Sequence, residues 1–388
     1  MQLKKLILTA FVLGLLLPAA SFGAEPVEFG MITSLTGTNA NLGQDMQRGM
    51  ELAVKRINAG YEVPMNDGST VKIGPGLLGR DVNEVVEDTE SRPQAAMDAV
   101  RKLLNVDKVD LVLGEFSSGI TVPTGQFTNS QGVIQIGVGA TSPKLRDVGP
   151  YFFSSIGLDD VAGAAVAKFA LEDSGAERFG SIVPNNPFGV GVEVNTCPEV
   201  EKAGGECVST VRYKLKQSDY RSELASLFGT EPEAVFYTAY GTEARLIFRQ
   251  AYERGHTPPK GWYAPYMTMW TNEVAEMPEI AEGVKGLVVG VSGSFYQDEY
   301  AQPFKGEFGK APATAFGAYA YDAAMMAALA IQKTGTTDSD AVAAALKEVS
   351  TKYKGVTGDK TFDEDGMQVS ESYQRKIYKG GKLVDYAK

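Results

Sequence analysis

The 388-residue chain has one histidine, two cysteines and two tryptophans, and it has no cluster of basic residues. Each scarcity excludes a class of chemistry. With His256 as the sole imidazole, in the sequence ERGHTPP, a Ser-His-Asp relay would have to be built there, and no G-x-S-x-G elbow accompanies it. His256 follows a helical stretch and precedes two prolines, which reads as a solvated loop position. One histidine, one close pair of cysteines and no calcium-loop array of carboxylates leave no metal site. Neither phosphate-binding glycine pattern, the P-loop or the dinucleotide fingerprint, is present, so no cofactor is expected. The formal charge of -11 argues against nucleic acid as a partner.

Long apolar runs are equally scarce. The one such stretch, Leu6–Leu17, follows Lys4 and Lys5 and precedes Pro18, Ala19, Ala20, Ser21 and Gly23. A short positive segment, an apolar core and small residues, in that order, form a secretory signal. The apolar core is shorter than the roughly 20 residues that span a bilayer. Residues 1–23 are therefore expected to be removed on export, with cleavage after Gly23 or Ala24. Loss of the two lysines takes the charge two units further, to about -13. No cysteine adjoins the cleavage point, so no lipid anchor is expected. In an oxidising compartment Cys197 and Cys207 are suited to one local disulfide. The intervening PEVEKAGGE reads as a helix end, a Gly204-Gly205 turn and a strand start.

What is present is an alternation. VEFGMIT from Val27, VDLVLGE from Val109, VIQIGVG from Val133, FGSIVP from Phe179, AVFYTAY from Ala234 and GLVVGV from Gly286 read as buried strands. Residues 43–59, 92–105, 160–173, 220–228 and 243–254 carry apolar side chains at helical spacing, as Met46, Met50, Val54 and Ile57 do. This predicts an α/β protein with parallel sheets covered by helices on both faces. The run occurs twice, before and after about Ser155, so two lobes are expected. Two alanine-rich helices, 311–333 and 338–349, follow. KTFDEDG from Lys360 and YQRKIYK from Tyr373 read as the two strands of a hairpin.

Ligands of open parallel sheets sit beyond the carboxyl ends of the strands. Two loops there suit an anion. VDLVLGE runs into FSSGIT, where Ser117 and Ser118 stand beside the free N–H groups of a helix start. VIQIGVG runs into ATSPK, where Thr141 offers a hydroxyl and a backbone N–H. Each is also an ordinary capping pattern. Their occurrence on consecutive strands points to an anion-binding cleft.

The ordered set FGMITSLTGTNANLGQDMQRGMELAVKRINA, LVLGEFSSGIT, GVGATSPKL, SSIGLDD, AVFYTAYGTEARLIFRQA and AYAYDAAMMAALA resembles the periplasmic leucine/isoleucine/valine-binding protein family, the soluble receptors of amino-acid ABC importers. The resemblance spans essentially the whole mature chain. It implies the type I periplasmic binding fold: two Rossmann-like lobes, 24–157 plus 291–357 and 158–290 plus 358–388, joined by three crossovers. By resemblance, Ser118 and Thr141 hold a ligand carboxylate, and the backbone at Gly139 and Ala140 lines that corner. Asp159 faces a ligand ammonium, and Tyr240 closes over the ligand from the second lobe. Three positions depart from the family pattern. Leu42 stands where an aromatic residue packs on the ligand, Phe188 replaces a tyrosine, and Tyr266 aligns near the glutamate that completes the ammonium site. The cluster Phe188, Tyr240, Tyr266 and Trp270 suits an apolar or flat ligand, with Trp270 readable as core.

The expectation is thus a monomeric periplasmic binding protein, without catalytic groups, that delivers an apolar or aromatic amino acid to a membrane permease. The alternatives are an aromatic carboxylate without an amine as ligand, or a ligand-sensing subunit of a signalling partner.

Overall fold

The computed structural model describes residues 25–387 apart from Glu276 and Val291; the signal segment, residues 1–23, lies outside the described residues. The chain forms two α/β lobes, each built on one main sheet. The first sheet has six parallel strands in the order Met367–Gln368, Phe152–Gly157, Ile134–Gly137, Leu111–Leu113, Val27–Thr33 and Val82–Asp88. Its register sets Val27 opposite Val82 and Phe29 opposite Leu111. The second has seven, ordered Lys382–Asp385, Tyr373–Lys379, Lys285–Val289, Trp262–Ala264, Ala234–Tyr237, Arg178–Pro184 and Glu206–Tyr213. All neighbours in it are parallel except the pairings made by Tyr373–Lys379, which are antiparallel. Helices cover both faces of a parallel sheet, so its central strands are buried, as FFSSIG and AVFY are throughout.

The helices follow the apolar spacing closely. The 43–59 pattern forms Ala40–Ala59, 160–173 forms Asp159–Ser174 and 243–254 forms Gly241–Glu253. Ala40–Ala59 packs against Phe316–Thr334 so tightly that a Cβ on Gly49 would stand 1.8 Å from the Gly317 carbonyl oxygen. The helix expected from 311 begins only at Phe316. Asp45 holds the residues before it as a turn, accepting from the Ala313 and Thr314 amides at 3.2 and 3.0 Å and from the Thr314 hydroxyl at 2.9 Å.

Three further expectations are corrected. KTFDEDG and YQRKIYK do not pair with each other. The hairpin is Tyr373–Lys379 with Lys382–Asp385, turned at Gly380-Gly381. Both of these glycines have positive φ, as a two-residue hairpin turn with the twist of its strands requires. The FDEDG segment instead curls on Asp363, whose carboxylate accepts from the Asp365 and Met367 amides, and it delivers Met367–Gln368 to the first sheet. The chain therefore leaves the first lobe after Gln368, and a division at 357/358 falls too early. His256 is not freely solvated: its ring stacks on Phe228 with centroids 4.7 Å apart.

The passages between lobes are tied together. Glu371 accepts from the Gly157 amide at 2.8 Å and the Tyr319 hydroxyl at 2.7 Å. The buried Lys360 donates to the Ser155 carbonyl at 3.0 Å, lies over the Tyr319 ring and sits 4.0 Å from Asp322. Cys197 and Cys207 are joined, linking the helix Pro187–Lys202 to the strand Glu206–Tyr213. Among the described residues no helix is long and apolar enough to cross a membrane.

Candidate functional site

The ends of two parallel strands of the first lobe build one wall of a cleft. Leu111–Leu113 leads through Gly114, Glu115 and Phe116 into the helix Ser118–Ser130, and Ile134–Gly137 leads into Gly139–Thr141. Ser118 Oγ accepts from the Thr141 and Ser142 amides, each at 3.2 Å. The serine hydroxyl thereby knits the two loops, and its own O–H is left to donate. The Thr141 amide, free in the sequence reading, is spent on this bond. The Thr141 carbonyl accepts from the Asp159 amide at 2.7 Å, which fixes the start of the next helix.

Glu115 is a fully buried carboxyl under this wall that sequence reasoning passed over. It accepts from the Ser34 hydroxyl at 2.6 Å, the Thr89 hydroxyl at 3.0 Å and the Ser117 amide at 2.6 Å. Burial raises its pKa against the pull of these bonds. One side chain thus fastens three loops; the signal was a lone acid in an otherwise apolar strand end.

The second lobe faces this wall with rings. Tyr240 caps the helix Gly241–Glu253; its hydroxyl accepts from Asn186 at 3.0 Å and lies 3.4 Å from Ser117 Oγ across the cleft. Phe188 packs between Tyr240 and Tyr266, with centroids 5.6 and 5.7 Å away. From the first lobe Phe116 meets Tyr240 at 6.1 Å and Phe316 at 4.9 Å. Gly139 lets these rings approach, since a Cβ there would stand 2.8 Å from the Phe116 ring.

Between these walls is a cavity lined by Phe116, Ser118, Gly139, Thr141, Phe188, Tyr240, Tyr266, Met269 and Phe316. About 240 Å³ of it is free of atoms, and only about 10 Å³ admits the centre of a water molecule. That is roughly room for one water, so an organic molecule enters only as the lobes part. The structure thus brings together Ser118, Gly139, Thr141, Phe188, Tyr240 and Tyr266. It leaves Leu42, Ala140 and Asp159 out of the lining. Leu42 is buried on the helix Ala40–Ala59, and Ala140 packs into a cluster with Leu145, Val148 and Phe152. Trp270 is core, packed edge-on or tilted against Tyr237, Phe248 and Tyr378. Phe116, Met269 and Phe316 were missed, because isolated apolar residues carry no sign of facing a cavity.

Asp159 is fully buried behind the lining, at the start of the helix Asp159–Ser174. Its Oδ1 accepts from the Tyr266 hydroxyl at 3.0 Å, and Oδ2 has no hydrogen-bond partner among the described residues. Burial pushes its pKa up to about 8, outweighing the Thr141 and Tyr266 hydroxyls that favour the charged form; the nearby Asp160 charge adds to the rise. Among the described residues no group of three or more His, Cys, Asp or Glu is placed to hold a metal.

The family model described as periplasmic binding protein matches residues 26–382. The chain belongs to that family. Its members are solute-binding proteins rather than enzymes. The chain is 26% identical over 364 residues to Leu/Ile/Val-binding protein homolog 1 of Brucella abortus, covering 92% of this chain and 91% of that one. A leucine-binding protein from Thermotoga maritima shares the fold with a TM-score of 0.81 at 23% identity, over 93% of this chain and 98% of that chain. A solute-binding protein of an ABC transporter from R. palustris, solved with benzoate, superposes with a TM-score of 0.78 at 19% identity, over 93% of this chain and 95% of that one.

Proposed function

We propose that this periplasmic binding protein is the capture subunit of an ABC importer for a small carboxylate with an apolar body. In this reading the signal segment exports the chain, it diffuses as a monomer in the periplasm, and it presents its ligand to a membrane permease.

One observation carries the reading. The cavity pairs the hydroxyls of Ser118 and Thr141 with a lid of Phe188, Tyr240 and Tyr266 on the opposite lobe. Hydroxyls beside a helix start suit a carboxylate. Rings that arrive from the other lobe make contact with the ligand only on closure, so the ligand stabilises the closed form by its differential contacts. Among similar proteins, one is named for leucine, isoleucine and valine and another was solved with benzoate, and both support a small carboxylate as the ligand.

The test is a thermal-shift panel of amino acids and aromatic and aliphatic acids. A ligand that binds only the native state raises the melting temperature by mass action. Ser118→Ala with Thr141→Val should abolish the shift of the best ligand. A flat response to every carboxylate, or a shift that survives the double substitution, counts against the reading.

A further inference from the structure

We infer that Tyr266 occupies the place on Asp159 that an amine would need, so that the site is built for carboxylates without an α-amino group. The inference rests on the carboxylate reading above and names its substrate class.

The two oxygens of Asp159 face different neighbours. Oδ1 takes the Tyr266 hydroxyl at 3.0 Å. Oδ2 faces the helix Pro187–Lys202, because a Cβ built on Gly191 would stand 2.6 Å from it. Neither oxygen lines the cavity, whereas Tyr266 and Thr141 do. The tyrosine thus lies between the Asp159 carboxyl and the ligand, and its hydroxyl makes the bond an ammonium would make.

The charge balance agrees. The ionisable groups around Asp159 are Tyr240, Tyr266, Tyr373 and Asp160. The Arg146 guanidinium is engaged by Asp160 and Asp363, with Asp365 at 3.7 Å. With no cation beside it among the described residues to hold a charge, burial pushes the Asp159 carboxyl up to about 8, and its Oδ1 is taken by the Tyr266 hydroxyl. Among the described residues no acidic side chain lines the cavity. An ammonium there would be desolvated with no charged partner, a large penalty. A plain acid has its one charge met by Ser118 and Thr141, and its body met by rings.

The experiment is calorimetric titration of the full mature chain at pH 7 with matched pairs that differ only by the α-amine: phenylacetate and phenylglycine, 3-phenylpropanoate and phenylalanine, 4-methylpentanoate and leucine. In at least one pair the acid should bind about 100-fold more tightly than its amino counterpart, the scale of an unpaired buried charge. Tyr266→Ala should shrink that ratio at least tenfold by opening Asp159 to the cavity. Tyr266→Phe, which keeps the ring and the fold, should shrink it less. An amino acid that matches or beats its acid in the unaltered protein overturns the inference while leaving the carboxylate reading intact. If no member of any pair binds, the carboxylate reading itself falls and this inference with it.

Discussion

Ser142 of the first lobe donates its hydroxyl to the carbonyl of Pro187 in the second at 3.0 Å. The bond lies beside the Ser118–Thr141 corner and joins a loop that follows a strand to the first turn of the helix Pro187–Lys202. It exists only while the lobes meet, so it favours closure without touching a ligand. Ser142→Ala should weaken ligand binding about two- to tenfold, the worth of one ordinary hydrogen bond. Calorimetric titration measures it. An unchanged affinity would show that this bond has no share in closure.

Gly191 tests closure from the steric side. A Cβ at this position would stand 2.6 Å from Asp159 Oδ2 and 2.8 Å from the Pro143 ring, which belongs to the opposite lobe. Both neighbours are held rigidly, one by burial and one by its ring. Gly191→Ala should act as a wedge that lowers affinity more than tenfold, since small overpacking at a tight contact costs on the order of 1–3 kcal/mol. In small-angle scattering the variant at saturating ligand should keep a larger radius of gyration than the parent. A parent-like radius and affinity would mean that the cleft absorbs a methyl group there.

The raised pKa of Asp159 has a signed consequence for stability. The value is 3.8 in an ordinary setting and about 8 here. Between those values the folded chain holds a proton that the unfolded chain has released, so stability falls as pH rises from about 4 to about 8 and then levels off. The slope from this group is at most about 1.4 kcal/mol per pH unit. Glu84, raised to about 7 by burial, adds a slope of the same sign, so the informative quantity is a difference. Asp159→Asn keeps an oxygen for Tyr266 and removes the titration. In urea unfolding its advantage over the parent should grow from pH 5 to pH 8. A constant difference would place the Asp159 pKa outside that window.

Reduction of the Cys197–Cys207 bond should cost stability and not affinity. The bond closes a span of 10 residues. The chain-entropy relation assigns such a loop roughly 2–3 kcal/mol. Neither cysteine lines the cavity. Reductant, or Cys197→Ser with Cys207→Ser, should lower the melting temperature while calorimetric affinity stays within about twofold. A matching loss of affinity would tie this helix–strand link to the site.

The sequence reading of the elements succeeded where the period was long and failed at joints. The spacing of Met46, Met50, Val54 and Ile57 is a local property, and the helix Ala40–Ala59 follows it. The first turn of the later helix is decided by Asp45, more than 260 residues earlier, which no local pattern reveals. The hairpin was misplaced for a related reason. KTFDEDG and YQRKIYK both look like strands, but the first curls on Asp363 and delivers Met367–Gln368 to Phe152–Gly157 in the first sheet, whereas the second pairs with Lys285–Val289 and Lys382–Asp385 in the second sheet.

By itself the sequence determined the compartment expected of the chain, the α/β alternation and the hydroxyl corner of Ser118 and Thr141. These are written in contiguous residues: a charged start before an apolar run, alternating periods, and small polar residues directly after strands. Tertiary structure decided what faces the ligand space. Phe116, Met269 and Phe316 came into the lining and Leu42, Ala140 and Asp159 went behind it, because lining depends on how two lobes meet and not on residue type. It also decided the state of Asp159. A carboxyl in sequence has an ordinary acidic pKa by default; burial against Tyr266 and Gly191 pushes that of Asp159 up to about 8.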